Sequence, residues 1–212
     1  MRIPSLDSHF ALPTLFCAAV VLSFCWSPAA DAALPGPEIG EPAPVFSLPD
    51  TTGKEVSLSA FKGKTVVLEW FNPDCPFVVY AHGGKGPLSE QTPRVLADGT
   101  VWLAINSGAP GKQGAGLARN VAARQEYGIS YPVLMDPEGK VGRMYGAVTT
   151  PHMFVIDAKG TLVYAGGLDR APLGRGDKTN YVDAALVDLK AGKTPDRART
   201  KPYGCSVKYS RK

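Results

Sequence analysis

One cysteine stands where a buried strand gives way to a helix. Residues 65–71 form a β-branched and aromatic run with apolar side chains on both faces, typical of a central strand. A predicted helix opens at Cys75-Pro76, with Asp74 as its expected N-cap and proline tolerated in the first turn. Free backbone N–H groups and the helix dipole favour an anion there, so we expect Cys75 to be a reactive thiolate.

One neighbour opposes a thiolate at Cys75, and an alternative interpretation of this residue is open. Asp74 repels a neighbouring thiolate, and the balance between this repulsion and the helix dipole is open at the level of sequence. The alternative is an inert, buried cysteine that behaves as a small apolar side chain.

The N-terminal residues predict export. Arg2 precedes an almost uncharged stretch over residues 11–26, and small residues follow over 27–33. This is the pattern of a secretory signal peptide, with cleavage expected after Ala32 or Ala33. An uncleaved anchor is the alternative, although the apolar stretch is short for a span of about 20 residues. A lipidated Cys25 fits less well, because the bulky Phe24 precedes it.

Removal of residues 1–33 takes Cys17 and Cys25 away and leaves Cys75 and Cys205. The two are 130 residues apart, and Cys205 lies in a tail without helix or strand patterning. Three roles for Cys205 stay open: a redox partner that attacks oxidised Cys75, a structural disulfide with it, or a free thiol. No spacing fixes the geometry that a disulfide needs.

Two histidines can approach Cys75. His82 follows it by about two helical turns, and His152 comes after a Thr150-Pro151 turn. Thiolate and imidazole are ligands that suit copper, but an ordinary hydrogen-bonded role for each histidine is the alternative. The glycine-rich loop over 108–116 lacks the Gly-Lys-Ser/Thr ending of a phosphate loop. We predict no cofactor and no resident metal.

The elements that position these residues alternate between strand and helix. Strands are expected over 45–48, 55–58, 65–71, 101–106, 132–135, 153–157 and 161–165. Helices are expected over 76–96, with a kink or a break, and over 117–127, 141–145 and 181–189. This order predicts an α/β sheet flanked by helices, with an antiparallel half. We place a signal peptide at 1–33, one domain at 34–191 and a C-terminal tail at 192–212.

Composition fits one soluble domain. The chain has 212 residues, 44 % of them hydrophobic, and a formal net charge of +4. No block of Lys and Arg with interleaved aromatic residues occurs, which argues against a nucleic-acid partner. We expect no membrane association after signal cleavage, because no second apolar stretch is long enough to span.

Four segments together resemble the thioredoxin superfamily, and more narrowly the AhpC/TSA redoxin group with its peroxiredoxin-like members. They are Val66–Val78, Tyr131–Gly139, Tyr145–Asp157 and Gly204–Tyr209. The resemblance implies a thioredoxin fold, a mixed sheet flanked by helices, with an N-terminal hairpin extension and an irregular C-terminal tail.

The same resemblance implies site residues. Pro151 would be the cis-proline that faces Cys75, and Thr150 would offer backbone groups to an extended thiol substrate; an ordinary trans proline is the alternative. One residue and one segment depart from the family patterns. Val78 stands where thioredoxins carry a second cysteine, and residues 68–74 do not match the peroxiredoxin motif.

These observations predict an exported thiol oxidoreductase, either peroxidase-like or disulfide-exchanging. Cys75 is the expected nucleophile, with Thr150, Pro151 and Cys205 completing the candidate catalytic set. Its expected partners are a peroxide or protein disulfide substrate and an unidentified thiol reductant. The alternative from another class is a non-catalytic thioredoxin-fold module that binds a partner protein or a metal.

Overall fold

The computed structural model describes Met1 and residues 36–211, so the predicted signal peptide at 1–33 lies outside the described residues. The strands are β1 (Ser47–Pro49), β2 (Glu55–Ser57), β3 (Val66–Trp70), β4 (Val101–Asn106), β5 (Val133–Met135), β6 (Thr149–Thr150), β7 (Met153–Ile156), β8 (Leu162–Gly166) and β9 (Cys205–Ser206). The α-helices are α1 (Pro76–His82), α2 (Pro87–Ala97), α3 (Leu117–Glu126), α4 (Lys140–Met144) and α5 (Tyr181–Lys190).

A five-stranded mixed sheet forms the centre, in the order β5-β4-β3-β7-β8. β3 pairs in parallel with β4, and β4 with β5, whereas β7 runs antiparallel to both β3 and β8. All five residues of β3 are buried, as the apolar residues on both faces of this segment predicted. The predicted α/β sheet with an antiparallel half is confirmed.

Successive residues of β3 serve two separate cores, because side chains alternate across a strand. Val67 packs with residues of α1, α2, α3 and α5 on one face. Val66 and Leu68 pack on the other face with residues of the β1–β2 hairpin and of α4. The antiparallel β1–β2 pair is the predicted N-terminal hairpin extension.

Of two local expectations around Cys75, one is confirmed and the other is wrong. The helical segment predicted over 76–96 is divided into α1 and α2, one of the two outcomes expected there. Asp74 is not the N-cap of α1. Cys75 occupies that position with extended backbone angles (φ −78°, ψ 122°), and its side chain makes no capping hydrogen bond.

The C-terminal tail is irregular, as predicted, but it is tied to the domain along its length. The N–H of Ala165 donates to the carbonyl of Ala198, at 3.0 Å, beside β8. Further on, β9 pairs antiparallel with β6. Near the end, the Tyr209 hydroxyl donates to the carbonyl of Ala147, at 2.8 Å. Neither β6 nor β9 was predicted, because two residues are too few for a periodic pattern.

Among residues 36–211, no helix combines the length and apolar character needed to cross a membrane.

Candidate active site

The Cys75 sulfur lies buried at the start of α1, where β3 ends. Its side chain is 0 % exposed. The thiol donates to the carbonyl of Thr150, with Sγ and O 3.0 Å apart. The backbone carbonyl of Cys75 accepts from the N–H groups of Val78 and Val79, which closes the first turn of α1. The local fold therefore aims the thiol away from solvent and towards the Thr150-Pro151 turn.

The Thr150-Pro151 peptide bond is cis, as the resemblance implied. Thr150 is buried and belongs to β6, which lies against β3. On its other side β6 pairs with β9, with Thr150 opposite Cys205. The edge expected to receive an extended substrate is therefore occupied by the chain's own tail.

This pairing brings the two thiols of the predicted site together. Cys205 packs against the core cluster that contains Cys75. Thr150, whose carbonyl accepts from the Cys75 thiol, pairs directly opposite Cys205. Both cysteines are in the free thiol form. All four predicted site residues are thus adjacent, although their catalytic roles stay predictions.

Opposing influences set the acidity of Cys75. Burial alone raises the pKa of its thiol, because it disfavours the charged form. Hydrogen bonds from the Cys205 and Thr150 side chains and from the N–H groups of Val78 and Cys205 outweigh burial, so the pKa of Cys75 lies below its ordinary value. The Thr150 carbonyl favours the protonated thiol instead, but it is one acceptor against several donors.

The pKa of Cys205 shifts in the other direction. Burial, followed by its hydrogen bond to Cys75 and repulsion from the Cys75 thiolate, raises the pKa of Cys205 to about 11. Of the two thiols, Cys75 is therefore the one that loses its proton more readily, while Cys205 keeps its proton. A thiol of lowered pKa beside a protonated neighbour is an arrangement in which Cys75 can act as a nucleophile.

The predicted repulsion between Asp74 and the thiolate is offset by an arginine. Arg119 Nε donates to Asp74 Oδ1 at 2.7 Å, and Arg119 also reaches the carbonyl of Pro73. Both side chains of the pair are about one-third exposed (29 % and 35 %), so solvent screens it further. Asp74 thus holds the turn before α1 through Arg119.

Sequence reasoning did not identify Glu69 as a member of a polar cluster. Its carboxyl group is fully buried and contacts three side chains. His82 Nε2 lies 2.8 Å from Oε1, and Trp102 Nε1 donates to Oε2 at 3.0 Å. The Tyr131 hydroxyl donates to Oε2 at 3.5 Å. An acidic residue inside a strand apolar on both faces was the available signal.

The cluster links α1 to the sheet, because His82 is the last residue of that helix. The His82 ring also stacks on Tyr127, with centroids 5.6 Å apart, and meets the edge of Phe71. His82 is therefore held by the Glu69 carboxyl group and two aromatic rings. These contacts do not form a copper site with Cys75.

His152 packs elsewhere. Its ring lies 4.5 Å from the ring of Phe154, and its Nδ1 accepts from the N–H of Val148 at 3.4 Å. Burial, reinforced by the charge of Arg199, lowers the pKa of His152 to about 4, so the ring is neutral. Within residues 36–211, no three His, Cys, Asp or Glu side chains gather to hold a metal ion.

The class of protein follows from the fold and this site. The Cys75 thiol lies at the start of α1, just after the central strand β3 of a mixed sheet. The cis Thr150-Pro151 turn faces this thiol. This is a thioredoxin-like fold. The model of the AhpC/TSA family matches residues 39–165, more than half of the chain. The chain belongs to the AhpC/TSA family.

One relative of this chain is named for thiol-disulfide oxidoreductase activity. The thiol-disulfide oxidoreductase ResA of Bacillus thuringiensis subsp. konkukian (strain 97-27) is 27 % identical over 129 residues. The match covers 59 % of this chain and 68 % of that protein.

Solved structures agree with the fold. A hypothetical protein of Sinorhizobium meliloti 1021 has a TM-score of 0.75 and 28 % identity, with 84 % of this chain and 98 % of that chain covered. A conserved protein of Geobacillus kaustophilus has a TM-score of 0.76 and 26 % identity, with 82 % and 94 % covered. The exposed lipoprotein thioredoxin of Streptococcus pneumoniae strain TIGR4 has a TM-score of 0.51 and 28 % identity, with 70 % and 99 % covered.

Proposed function

We propose that this chain is a thiol-disulfide oxidoreductase that cycles between two free thiols and a Cys75–Cys205 disulfide. The observation that carries the proposal is that both cysteines, 130 residues apart in the chain, meet the cis-proline turn: the Cys75 thiol donates to the Thr150 carbonyl, and Thr150 pairs opposite Cys205. Membership of the AhpC/TSA family and similarity to a protein named thiol-disulfide oxidoreductase support the same chemistry.

The oxidative half of the cycle starts from the Cys75 thiolate. It attacks a substrate disulfide R–S–S–R′, forms a Cys75–S–S–R bond and releases R′–S⁻. Cys205 then gives up its proton and attacks the Cys75 sulfur, which forms the Cys75–Cys205 disulfide and releases R–S⁻. Two electrons pass to the substrate. Because Cys75 is 0 % exposed, the first attack requires β9 to separate from β6.

The surroundings of Cys75 favour disulfide exchange over peroxide reduction. The Cys75 thiol donates to the Thr150 carbonyl. The peroxiredoxins that the sequence resembles use an arginine to orient the peroxide, but among the described residues no arginine donates a hydrogen bond to the Cys75 sulfur, and Arg119 is engaged by Asp74. A disulfide substrate needs no such guanidinium, because its leaving group is a thiolate.

A disulfide-mapping experiment tests the proposal. The full chain with Cys17→Ser and Cys25→Ser is reduced, mixed with oxidised glutathione, quenched in acid and mapped by mass spectrometry. We expect a peptide pair joined through Cys75 and Cys205. In the same background, Cys205→Ser stops at a glutathione adduct on Cys75, whereas Cys75→Ser forms no internal disulfide.

Two further outcomes decide between the alternatives. In a parallel series hydrogen peroxide replaces oxidised glutathione. If peroxide oxidises Cys75 faster than oxidised glutathione does, a peroxidase-like function is supported instead. A Cys75 thiol with an ordinary pKa that stays unmodified by both reagents indicates a non-catalytic module.

We also propose that the protein acts outside the cytoplasm, on the strength of the export pattern in residues 1–33. Its similarity to an exposed lipoprotein thioredoxin is in keeping with that location. Expression of the full chain and N-terminal sequencing of the product test this. A mature protein that starts after Ala32 or Ala33 supports export with cleavage, and an intact N-terminus contradicts it.

A further inference from the structure

A surface hollow of about 290 Å³ lies beside the candidate active site, and we call it the Tyr203 hollow. Tyr203 is two residues before Cys205, so the Cα atoms of these two residues lie within about 7 Å of each other. The Tyr203 ring also packs against Phe77, two residues after Cys75, with centroids 5.8 Å apart. Two tyrosines, two prolines and two exposed cations line the hollow: Tyr181, Tyr203, Pro172, Pro202, Arg170 and Lys201.

The wall that carries Tyr203 is held independently of β9. The Tyr203 hydroxyl donates to Asp169 Oδ1 at 2.5 Å. Earlier in the tail, the N–H of Thr200 donates to the carbonyl of Ala165, in β8, at 3.2 Å. These contacts fix the tail up to Tyr203. The hollow therefore keeps its shape when β9 separates from β6.

The carboxyl groups at the hollow are engaged within the protein. Asp169 is 6 % exposed, and its Oδ1 accepts from the N–H of Ala171 as well as from the Tyr203 hydroxyl. Asp177 pairs with Arg170, with Oδ2 and Nη1 3.2 Å apart. Both carboxylates therefore have their partners before any molecule binds.

Positive charge dominates the two segments around the hollow. Residues 170–178 and 197–201 contain six Lys and Arg residues and one acidic residue, whereas the whole chain contains 23 and 19. Lys201 is exposed and forms no ion pair within the part of the chain that the structure describes. The Arg197 guanidinium lies over the Tyr181 ring, 5.9 Å from its centre. Aromatic walls beside cations suit an apolar side chain that is next to carboxylates.

We propose that the Tyr203 hollow recognises the protein disulfide substrate and selects a substrate segment in which an apolar side chain lies next to Asp or Glu residues. This inference rests on the proposed thiol-disulfide function and names its substrate class. The apolar side chain packs among the tyrosine and proline rings, and the carboxylates pair with Lys201 and Arg170. The position of the hollow favours a protein over a nucleic acid or a lipid, because its occupant must bring a disulfide to Cys75.

Exposed charges give a modest preference that salt weakens. Each exposed ion pair contributes little, and opposite charges also accelerate the encounter of two molecules at low ionic strength. For two such pairs we expect a rate preference of about fivefold at about 20 mM salt. The preference should fall towards one at about 0.5 M salt, where charges are screened over a few ångströms.

Exchange rates with matched peptide disulfides test the inference. The full chain with Cys17→Ser and Cys25→Ser is reduced and mixed with symmetric disulfides of short capped peptides. Each peptide has one cysteine and a leucine two residues from it, and the residues that flank the leucine are both Glu, both Gln or both Lys. The released peptide thiol is measured after acid quenching. Each rate is divided by the rate of the same peptide with dithiothreitol, which corrects for the pKa of the peptide thiol.

The expected order of the corrected rates is Glu, then Gln, then Lys. We expect the Glu peptide to react about fivefold faster than the Gln peptide at low salt, and high salt to remove the difference. Replacement of the peptide leucine by serine should slow the reaction several-fold, because an apolar side chain no longer fills the hollow. Equal rates for the leucine and serine peptides overturn the role of the hollow.

Two lysine variants separate the hollow from the overall charge of the protein. Lys201→Glu and Lys159→Glu change the net charge equally, but Lys159 lies in the turn between β7 and β8, at the opposite end of β7 from the Thr150-Pro151 turn. We expect Lys201→Glu to reduce the preference for the Glu peptide to about one or below, and Lys159→Glu to retain it. An equal effect of both variants indicates general charge attraction and overturns the inference.

The same series distinguishes the inference from the proposed function. If no peptide disulfide produces a Cys75–Cys205 disulfide, the proposed function fails and the inference with it. If that disulfide forms at equal corrected rates with the Glu, Gln and Lys peptides, the inference alone fails.

Discussion

Replacement of Glu69 by alanine tests whether the buried carboxyl group is a structural link between the sheet and the helix of Cys75. The variant removes the acceptor for Trp102 and Tyr131 and the partner of His82. All three partners are buried, between 0 % and 7 % exposed, and water does not replace the lost oxygen atoms. The change therefore leaves up to three polar groups unpaired in the core.

The expected loss is large. Each buried polar group left without a partner costs about 1–3 kcal/mol, and with up to three such groups we expect Glu69→Ala to lower the free energy of unfolding by about 3–5 kcal/mol. Glu69→Gln keeps an acceptor oxygen for Trp102 and an amide that donates to His82. Its expected loss is smaller, about 1–2 kcal/mol.

Urea unfolding followed by circular dichroism measures both values. For a loss of that size we expect the midpoint to fall by about 2 M, given a slope of about 2 kcal/mol per M for a small domain. Glu126→Ala is the control, because Glu126 makes an exposed pair with Arg119 and is expected to cost about 0.5 kcal/mol or less. A loss below about 1 kcal/mol in Glu69→Ala refutes the reasoning.

Three further predictions concern thiol acidity, a buried histidine and the turn before Cys75. In the full chain with Cys17→Ser and Cys25→Ser, ultraviolet thiolate absorbance should rise in two steps with pH, the first below the ordinary cysteine pKa and the second near 11. In the same background, Cys205→Ala should move the pKa of Cys75 upward, because a hydrogen-bond donor is lost. The pKa of His152 is about 4 in the folded protein and 6.5 in the unfolded chain. Its contribution to the free energy of unfolding is therefore complete above pH 6.5 and is lost as the pH falls towards 4. His152→Asn should reduce this loss of stability at low pH by up to about 3 kcal/mol, as measured by urea unfolding at a series of pH values. Gly114→Ala should destabilise the fold by about 1–3 kcal/mol in urea unfolding, since its φ is +71° and a Cβ would lie 1.9 Å from Asn72 Oδ1.

Each of these has a result that contradicts it. In the Cys17→Ser, Cys25→Ser background, a single thiol transition at the ordinary cysteine pKa would refute the opposite pKa shifts of Cys75 and Cys205. Equal pH dependence in the wild type and in His152→Asn would show that the histidine is not buried as a neutral ring. For the turn, Gly111→Ala is the matched control, since it has a similar φ (+76°) and open space around it. Equal losses in both glycine variants would show that the contact with Asn72 is unimportant.

The larger elements were visible in the sequence. Strands over 65–71 and 101–106 carry dense β-branched and aromatic residues, and the structure places β3 and β4 there. Proline at position 76 marks the start of α1, because its missing N–H belongs to a position that has no helical acceptor. The order of these elements predicted an α/β sheet with an antiparallel half, and the resemblance of four segments to the thioredoxin superfamily implied the thioredoxin fold.

Local patterns did not determine which residues meet in the site. The N-cap of α1 is Cys75 instead of Asp74, and the Asp74 side chain accepts from Arg119, 45 residues further on. Glu69 was visible as an acid in an apolar strand, but its partners His82, Trp102 and Tyr131 come from three other elements or loops. Such contacts depend on packing and not on the residues next along the chain.

By itself, the sequence of this protein determined that Cys75 stands at a helix start after a central strand and that one further cysteine remains in the tail. It left Cys205 open as a redox partner, a staple or a free thiol. The tertiary structure decided that Cys205 lies against Cys75, since β9 pairs with β6 over two residues each. The physical reason is that this pairing consists of backbone hydrogen bonds across a long separation in sequence, which leave no periodic pattern of side chains to read.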